Sequence, residues 1–248
     1  MSTLHARDLR KVYGSADSRV EALGGVSLEL AAGEFVAVVG PSGCGKSTLL
    51  HLCGGMDRAS AGTVAVEGVA LADLDDDALT RLRRDRVGFV FQFFNLLPTL
   101  TLAENIALPL LLAGEPPGGA EARARDVAEH VGLGHRLAHF PAQVSGGELQ
   151  RAAVARAVIH RPALLIADEP TGNLDTEAGQ LVLEVLRTLN RETRVAVLLA
   201  THDPMIAGAA GRRLRLRDGV EVPAGDPAPA VPDSPAGTAT GVEAGAGR

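Results

Sequence analysis

Residues 35–55 read FVAVVGPSGCGKSTLLHLCGG. The first five are apolar and β-branched-rich, which predicts a strand, and residues 49–55 predict a helix that closes on glycines. Between them GPSGCGKST fits the phosphate-loop pattern GxxxxGK[ST] in full, in the strand–loop–helix setting that the pattern requires. Gly40, Gly43 and Gly45 let backbone N–H groups turn inward around phosphate oxygens, and the helix N-terminus adds its partial positive charge. Lys46 is placed to reach β- and γ-phosphates and Ser47 to ligate Mg²⁺. Pro41, Ser42, Cys44 and Thr48 complete the cradle, with Cys44 at a position that tolerates many residues.

Lysine usage sharpens this reading. The chain has 22 Arg but only Lys11 and Lys46, so a plain positive charge is normally arginine here. A lysine inside a tight loop marks a place where a compact ammonium is needed and a planar guanidinium does not fit.

Two later apolar runs end in chemically useful residues. ALLIADEP at 163–170 ends in Asp168 and Glu169, and RVAVLLATHD at 194–203 ends in Thr-His-Asp. Between them EAGQLVLEVLRTLN has helical periodicity. Continuous apolar strands alternating with helices predict a mostly parallel sheet covered on both faces, with ligands beyond the carboxyl ends of its strands. Asp168 then suits Mg²⁺, directly or through water. Strand alternation turns Glu169 to the other side of the strand end, where a carboxylate can polarise a water for attack on a γ-phosphate.

The flanking regions differ. LHARDLRKVYG, VEALGGVSLEL and GTVAVEGVAL predict short strands of an antiparallel sheet beside the parallel one. Residues 93–161 are helical in pattern and predict a helical subdomain inserted into the sheet domain. RRLRLRDGVEV predicts a hairpin around Asp218-Gly219. The domain expected at 1–222 is followed by an Ala/Gly/Pro-rich tail, 223–248, with too little to bury for order.

Composition bounds the partners. A net charge of −6 gives no basic footprint for nucleic acid. The N-terminus lacks the apolar core of a secretory signal, and no uncharged run free of Gly and Pro approaches the roughly 20 residues that span a bilayer. Cys44 and Cys53 have neither disulfide-framework nor zinc spacing, so a reducing cytoplasm is the expectation. His135 and His139 share helical spacing but lack the acidic company of a metal site.

VSGGELQR at 144–151 poses a separate question, because a glycine pair stands at the mouth of a helix. Ser145 with Glu148 three residues on fits a capping box. The N–H groups of Gly146 and Gly147 then stay bare and form an anion site at a helix tip. Since the phosphate loop already holds one nucleotide, this site addresses another.

Taken in order, Tyr13, the phosphate loop, Gln92, SGGE, LLIADE, NLD at 173–175 and His202 resemble the nucleotide-binding subunit of an ABC transporter across residues 1–222. The resemblance implies a phosphate-loop NTPase fold of α/β class: a mostly parallel core sheet, an antiparallel β subdomain and an inserted helical subdomain. It implies ATP and Mg²⁺ as ligands, with Tyr13 stacking on adenine and Gln92 contacting Mg²⁺ or the attacking water. Glu169 is then the catalytic base, and His202 contacts the γ-phosphate and helps hold Glu169.

The resemblance also implies a head-to-tail dimer in which Ser145, Gly146, Gly147 and Glu148 of each copy close over the partner's ATP, with Asp175 at the boundary. An integral-membrane permease is the implied partner, met through residues 93–112, at the inner face of the cell membrane. GFVFQFFNLLPTLTLAENIALPL and DEPTGNLD resemble the lipoprotein-release, macrolide-export and cell-division subgroup. The same ATPase would also serve a non-transporting complex that sends force across the membrane to an extracellular enzyme. Chromosome-maintenance relatives are disfavoured by the absence of sustained heptads, and translation-associated ones by the single cassette. Glu148 replaces the family's usual Gln, and Val144 its usual Leu. With its charge engaged in the capping box, Glu148 is expected to be structural.

Overall fold

A computed structural model describes residues 2–14 and 18–223. The expected tail falls outside these residues apart from Pro223. In chain order the elements are β1 (Ser2–Tyr13), β2 (Val20–Ala31), β3 (Phe35–Val39), α1 (Lys46–Cys53), β4 (Ala61–Val66), β5 (Val69–Ala70), α2 (Asp76–Arg86), β6 (Val87–Val90), α3 (Leu102–Leu112) and α4 (Pro117–His130). They continue with α5 (Gly146–Val158), β7 (Leu164–Asp168), α6 (Thr176–Thr193), β8 (Ala196–Thr201), α7 (Pro204–Gly208), β9 (Arg212–Arg217) and β10 (Val220–Glu221).

The strands form a six-stranded sheet, ordered β10-β9-β3-β8-β7-β6, and a four-stranded sheet, ordered β2-β1-β4-β5. The larger is parallel except for the β9–β10 hairpin, and the smaller is antiparallel throughout. Asp218 and Gly219 both take left-handed φ, 47° and 77°, which lets so short a turn follow the strands' twist.

Burial on both faces explains why β3, β7 and β8 are continuously apolar rather than alternating. Val36, Val38, Ile166 and Leu198 join one core with α1 and the small sheet. Phe35, Ala37, Leu165, Val197 and Leu199 face the other way, into a second core with Val182 and Leu186 of α6. A third core lies among α3, α4 and α5, where Leu102, Ile106 and Leu110 meet Ala120, Ala124, Ala128, Ala152, Ala155 and Ile159. The alanine row on α4 lets the helices come close. Helix α5 serves two cores, since its Val154 and Ala157 belong to the second.

Two elements have little sequence signal. Helix α2 is densely charged and buries only Leu79 and Leu82; its N-cap is Asp75, whose side chain accepts the Ala78 N–H. Strand β6 is four residues long and pairs with β7 on the sheet's edge.

Candidate functional site

The phosphate loop occupies the carboxyl end of β3 and runs into α1. Its glycines have different causes. Gly43 is left-handed at φ 79° and a Cβ there would meet nothing within 4 Å, so it faces open space. A Cβ on Gly40 would lie 2.2 Å from the Leu216 carbonyl oxygen, and one on Gly45 2.5 Å from that of Ala22. The loop is therefore wedged against β9 and β2. The hairpin turn finishes the wedge: Gly219 N–H donates to the Cys44 carbonyl at 3.1 Å, and the Gly219 carbonyl accepts from Gly24 N–H at 2.9 Å. Burial pushes the Cys44 thiol up, which keeps it neutral and makes it packing rather than chemistry.

Lys46 is buried and folds over the loop, donating from Nζ to the carbonyls of Gly40 at 2.9 Å and Pro41 at 3.1 Å. Its ammonium also lies 3.7 Å from Glu169 Oε1. Ser47 Oγ donates to Asp168 Oδ1 at 3.1 Å, joining the start of α1 to the end of β7. Burial raises the Asp168 pKa, a tendency that the Ser47 hydrogen bond and nearby His51 only partly offset. A hydroxyl and a partly buried carboxylate brought together from separate elements fit a hard cation such as Mg²⁺.

Glu169 does not follow the alternation expected of a strand end. Its φ of 47° is left-handed, uncommon for a residue with a side chain, and its N–H still completes the ladder to the Ala200 carbonyl at 3.0 Å. The kink swings the carboxylate back to the same site as Asp168. There Oε1 faces Lys46, while Oε2 lies 2.8 Å from His202 Nδ1 at the end of β8. Gln92, just after β6, is tied to the loop beyond Glu169: Asn173 Nδ2 donates to its carbonyl at 2.9 Å, and its own Nε2 approaches Asn173 Oδ1 at 3.4 Å.

Tyr13 closes the other side. Its hydroxyl donates to Asp57 Oδ2 at 2.9 Å. Asp57 carried no sequence signal, because it stands 44 positions away in an unremarkable turn.

The SGGE signature at 145–148 is built as its sequence suggests but stands apart. Ser145 Oγ accepts from Glu148 N–H at 3.3 Å, and Glu148 Oε2 accepts from the Ser145 N–H at 2.8 Å and the Ser145 hydroxyl at 3.0 Å. Glu148 Oε1 takes a further bond from Arg136 Nε at 2.9 Å, a partner the sequence reading missed. The backbone N–H of Ser145, ahead of the Ser145 hydroxyl and Arg136, holds the Glu148 pKa below its ordinary value against the opposing effect of burial. Its charge is thus consumed locally. None of these bonds reaches the chain's own phosphate loop.

The two glycines divide their roles. Gly147 is buried, and a Cβ there would lie 3.0 Å from Ala178 Cβ on α6. Packing, and not only bare backbone, requires it, which corrects the expectation that both glycines simply leave donors unshielded. A Cβ on Gly146 would meet only side-chain ends, Leu174 Cδ2 at 3.3 Å and Phe94 Cζ at 3.8 Å. Asp175 caps α6, accepting the Ala178 N–H at 2.8 Å, so it sits beside the signature and not beside the chain's own phosphate loop.

Helix α5 also grips the segment on both sides of Gln92. Arg156 donates to the carbonyls of Phe94, at 2.9 Å, and Asn95, and Gln150 Nε2 donates to that of Phe91 at 3.1 Å. Phe94 and Asn95 are both left-handed, with φ of 58° and 52°. The clasp leaves Phe93 72% exposed; Leu97, Leu111 and Leu112 are exposed too, whereas Leu102, Ile106 and Leu110 are core.

A strand–loop–helix phosphate cradle that faces a paired Asp-Glu strand end across a parallel sheet defines a phosphate-loop nucleoside triphosphatase. The family model described as ABC transporter matches residues 23–172. The lipoprotein-releasing system ATP-binding protein LolD of Bordetella pertussis is 49% identical over 216 residues, covering 87% of this chain and 94% of that protein. LolD of Geobacter metallireducens is 48% identical over 218 residues, covering 88% and 97%. Among solved structures, the dimeric post-hydrolysis state of the ATP-binding cassette MJ0796, bound to ADP and Pi, matches with a TM-score of 0.82 and 38% identity, over 88% of this chain and 96% of that one. The chain belongs to the ABC transporter family, as an ATP-binding and ATP-hydrolysing subunit. No helix among the described residues is long and apolar enough to cross a membrane.

Proposed function

We propose that this subunit powers a permease of the lipoprotein-releasing type from the inner face of the cell membrane, with Glu169 as the base that activates water. The length over which LolD proteins align supports the subgroup. The observation that carries the chemistry is the Glu169 carboxylate, fixed between Lys46 Nζ at 3.7 Å and His202 Nδ1 at 2.8 Å beside the Ser47–Asp168 pair.

With ATP in the loop, Lys46 exchanges its carbonyl partners for the β- and γ-phosphates. Released from Lys46, Glu169 accepts a hydrogen bond from a water in line with the γ-phosphate, and His202 holds its other oxygen. Gln92, anchored through Asn173, borders the same water. Ser47 and Asp168 would hold Mg²⁺, which neutralises charge on the phosphate oxygens. The Gly146 end of α5 in the second copy covers the γ-phosphate, so closure of the dimer and ATP occupancy are linked. Phe93, Leu97 and their neighbours on 93–112 form the surface offered to the permease.

Glu169→Gln keeps the hydrogen-bonding shape and removes the base. It is expected to bind ATP, lose turnover by 10²-fold or more, and accumulate an ATP-bound dimer in size-exclusion chromatography. Near-normal turnover with a monomeric profile in ATP refutes both roles.

A further inference from the structure

Tyr13 ends β1 with its side chain 41% exposed, yet the ring is held at two points. Its hydroxyl donates to Asp57 Oδ2 at 2.9 Å. Lys11, two residues back on the same strand face, donates from Nζ to Asp57 Oδ1 at 2.7 Å and to the Arg58 carbonyl at 2.8 Å. The same ammonium lies 4.8 Å from the centroid of the Tyr13 ring. Ser60 stitches the turn down, its N–H donating to the Arg10 carbonyl at 2.8 Å and its Oγ accepting the Val12 N–H at 3.0 Å.

This explains the second lysine in a chain that otherwise uses arginine. The Nζ serves a carboxylate, a carbonyl and a ring face in three directions. A tetrahedral ammonium can do that from one atom, whereas a guanidinium spreads its donors in a plane. Lys11 is only 12% exposed, so the attraction to the ring is weakly screened.

We propose that Lys11 and Asp57 are positioning residues for the nucleobase: they fix Tyr13 by one face and by its hydroxyl, so that the opposite face stands ready for adenine. The proposal rests on the reading that Tyr13 stacks on the base. It adds that base affinity is set by a charged pair that touches neither the phosphates nor the base.

The test compares ADP with pyrophosphate, the latter by competition, on the full chain with Mg²⁺. Lys11→Met and Asp57→Ala are each expected to weaken ADP roughly three- to tenfold and to leave pyrophosphate within about twofold. Tyr13 is the only tyrosine and there is no tryptophan, so tyrosine emission reports this ring alone. ADP is expected to change it, pyrophosphate not, and both variants to shrink the ADP response. Unchanged ADP affinity in the two variants overturns the proposal. Equal losses for ADP and pyrophosphate also overturn it, because the pair would then merely shape the loop. If Tyr13→Ala leaves ADP affinity intact and ADP leaves the wild-type emission unchanged, the stacking reading fails and the proposal falls with it.

Discussion

Asp168 and Glu148 carry opposite pKa shifts, and the two make opposite pH predictions. The raised pKa of Asp168 means that its ionised form is disfavoured in the nucleotide-free fold. Stability is greatest with the group protonated and falls as pH rises through the folded pKa, above the ordinary carboxylate value. Asp168→Asn, which still accepts from Ser47, is therefore expected to raise the nucleotide-free Tm at neutral pH by roughly 1–3 °C. Below the ordinary carboxylate pKa the difference should vanish, and scanning calorimetry at the two pH values reads it. Glu148, with a lowered pKa, stabilises the fold above its ordinary value and loses that contribution as pH falls through the folded value. Glu148→Gln is expected to cost on the order of 1 kcal/mol of stability at neutral pH, as a damaged cap does, and to change ATP affinity by less than about twofold. Chemical denaturation and ATP titration separate the two; a tenfold affinity change with unaltered stability would put the carboxylate at the nucleotide instead.

Among the elements, α5 and α6 meet where Gly147 faces Ala178. Gly147→Ala forces two Cβ atoms to 3.0 Å and is expected to cost roughly 1–3 kcal/mol, while Ala178→Gly in the same chain restores most of it. Urea melts of the single and double variants measure this coupling. The contact also shows what was legible in advance and what was not. Strands β3, β7 and β8, helix α6, the hairpin at Asp218-Gly219 and the capping box at Ser145 are written in local pattern, because each is set by residues within a few positions. Strand β6 hides between a charged helix and a loop. Lys11 with Asp57, Arg136 with Glu148 and Arg156 with the Phe94–Asn95 turn escaped because their partners stand 46, 12 and 61–62 positions away. The left-handed turn at Glu169 escaped for another reason: strand alternation supplies no hint of a single inverted φ.

At the level of the whole molecule, the proposed head-to-tail dimer builds each ATP site from two chains, with the loop from one copy and the α5 mouth from the other. Lys46→Ala disables the loop but leaves the mouth intact. Gly146→Asp suits a helix N-terminus, so the helix survives, but its charge repels a γ-phosphate. Each variant alone is expected to be inactive. Mixed in equal amounts, half the dimers are heterodimers, each with one intact site of two, so about a quarter of wild-type ATPase activity should return. Mixtures that stay inactive while heterodimers form would contradict head-to-tail sharing.

The wedge between the phosphate loop and the final hairpin has a consequence for how the protein is made. A ribosome delivers Lys46 early, but the Leu216 carbonyl and Gly219 N–H that brace Gly40 and Cys44 emerge 170 and more positions later. At about 5–20 residues per second that interval is roughly 10–30 s. Throughout it the nascent chain displays the full GxxxxGK[ST] motif without the wall that shapes it. The loop can therefore take its braced shape only after the β9–β10 hairpin has been made.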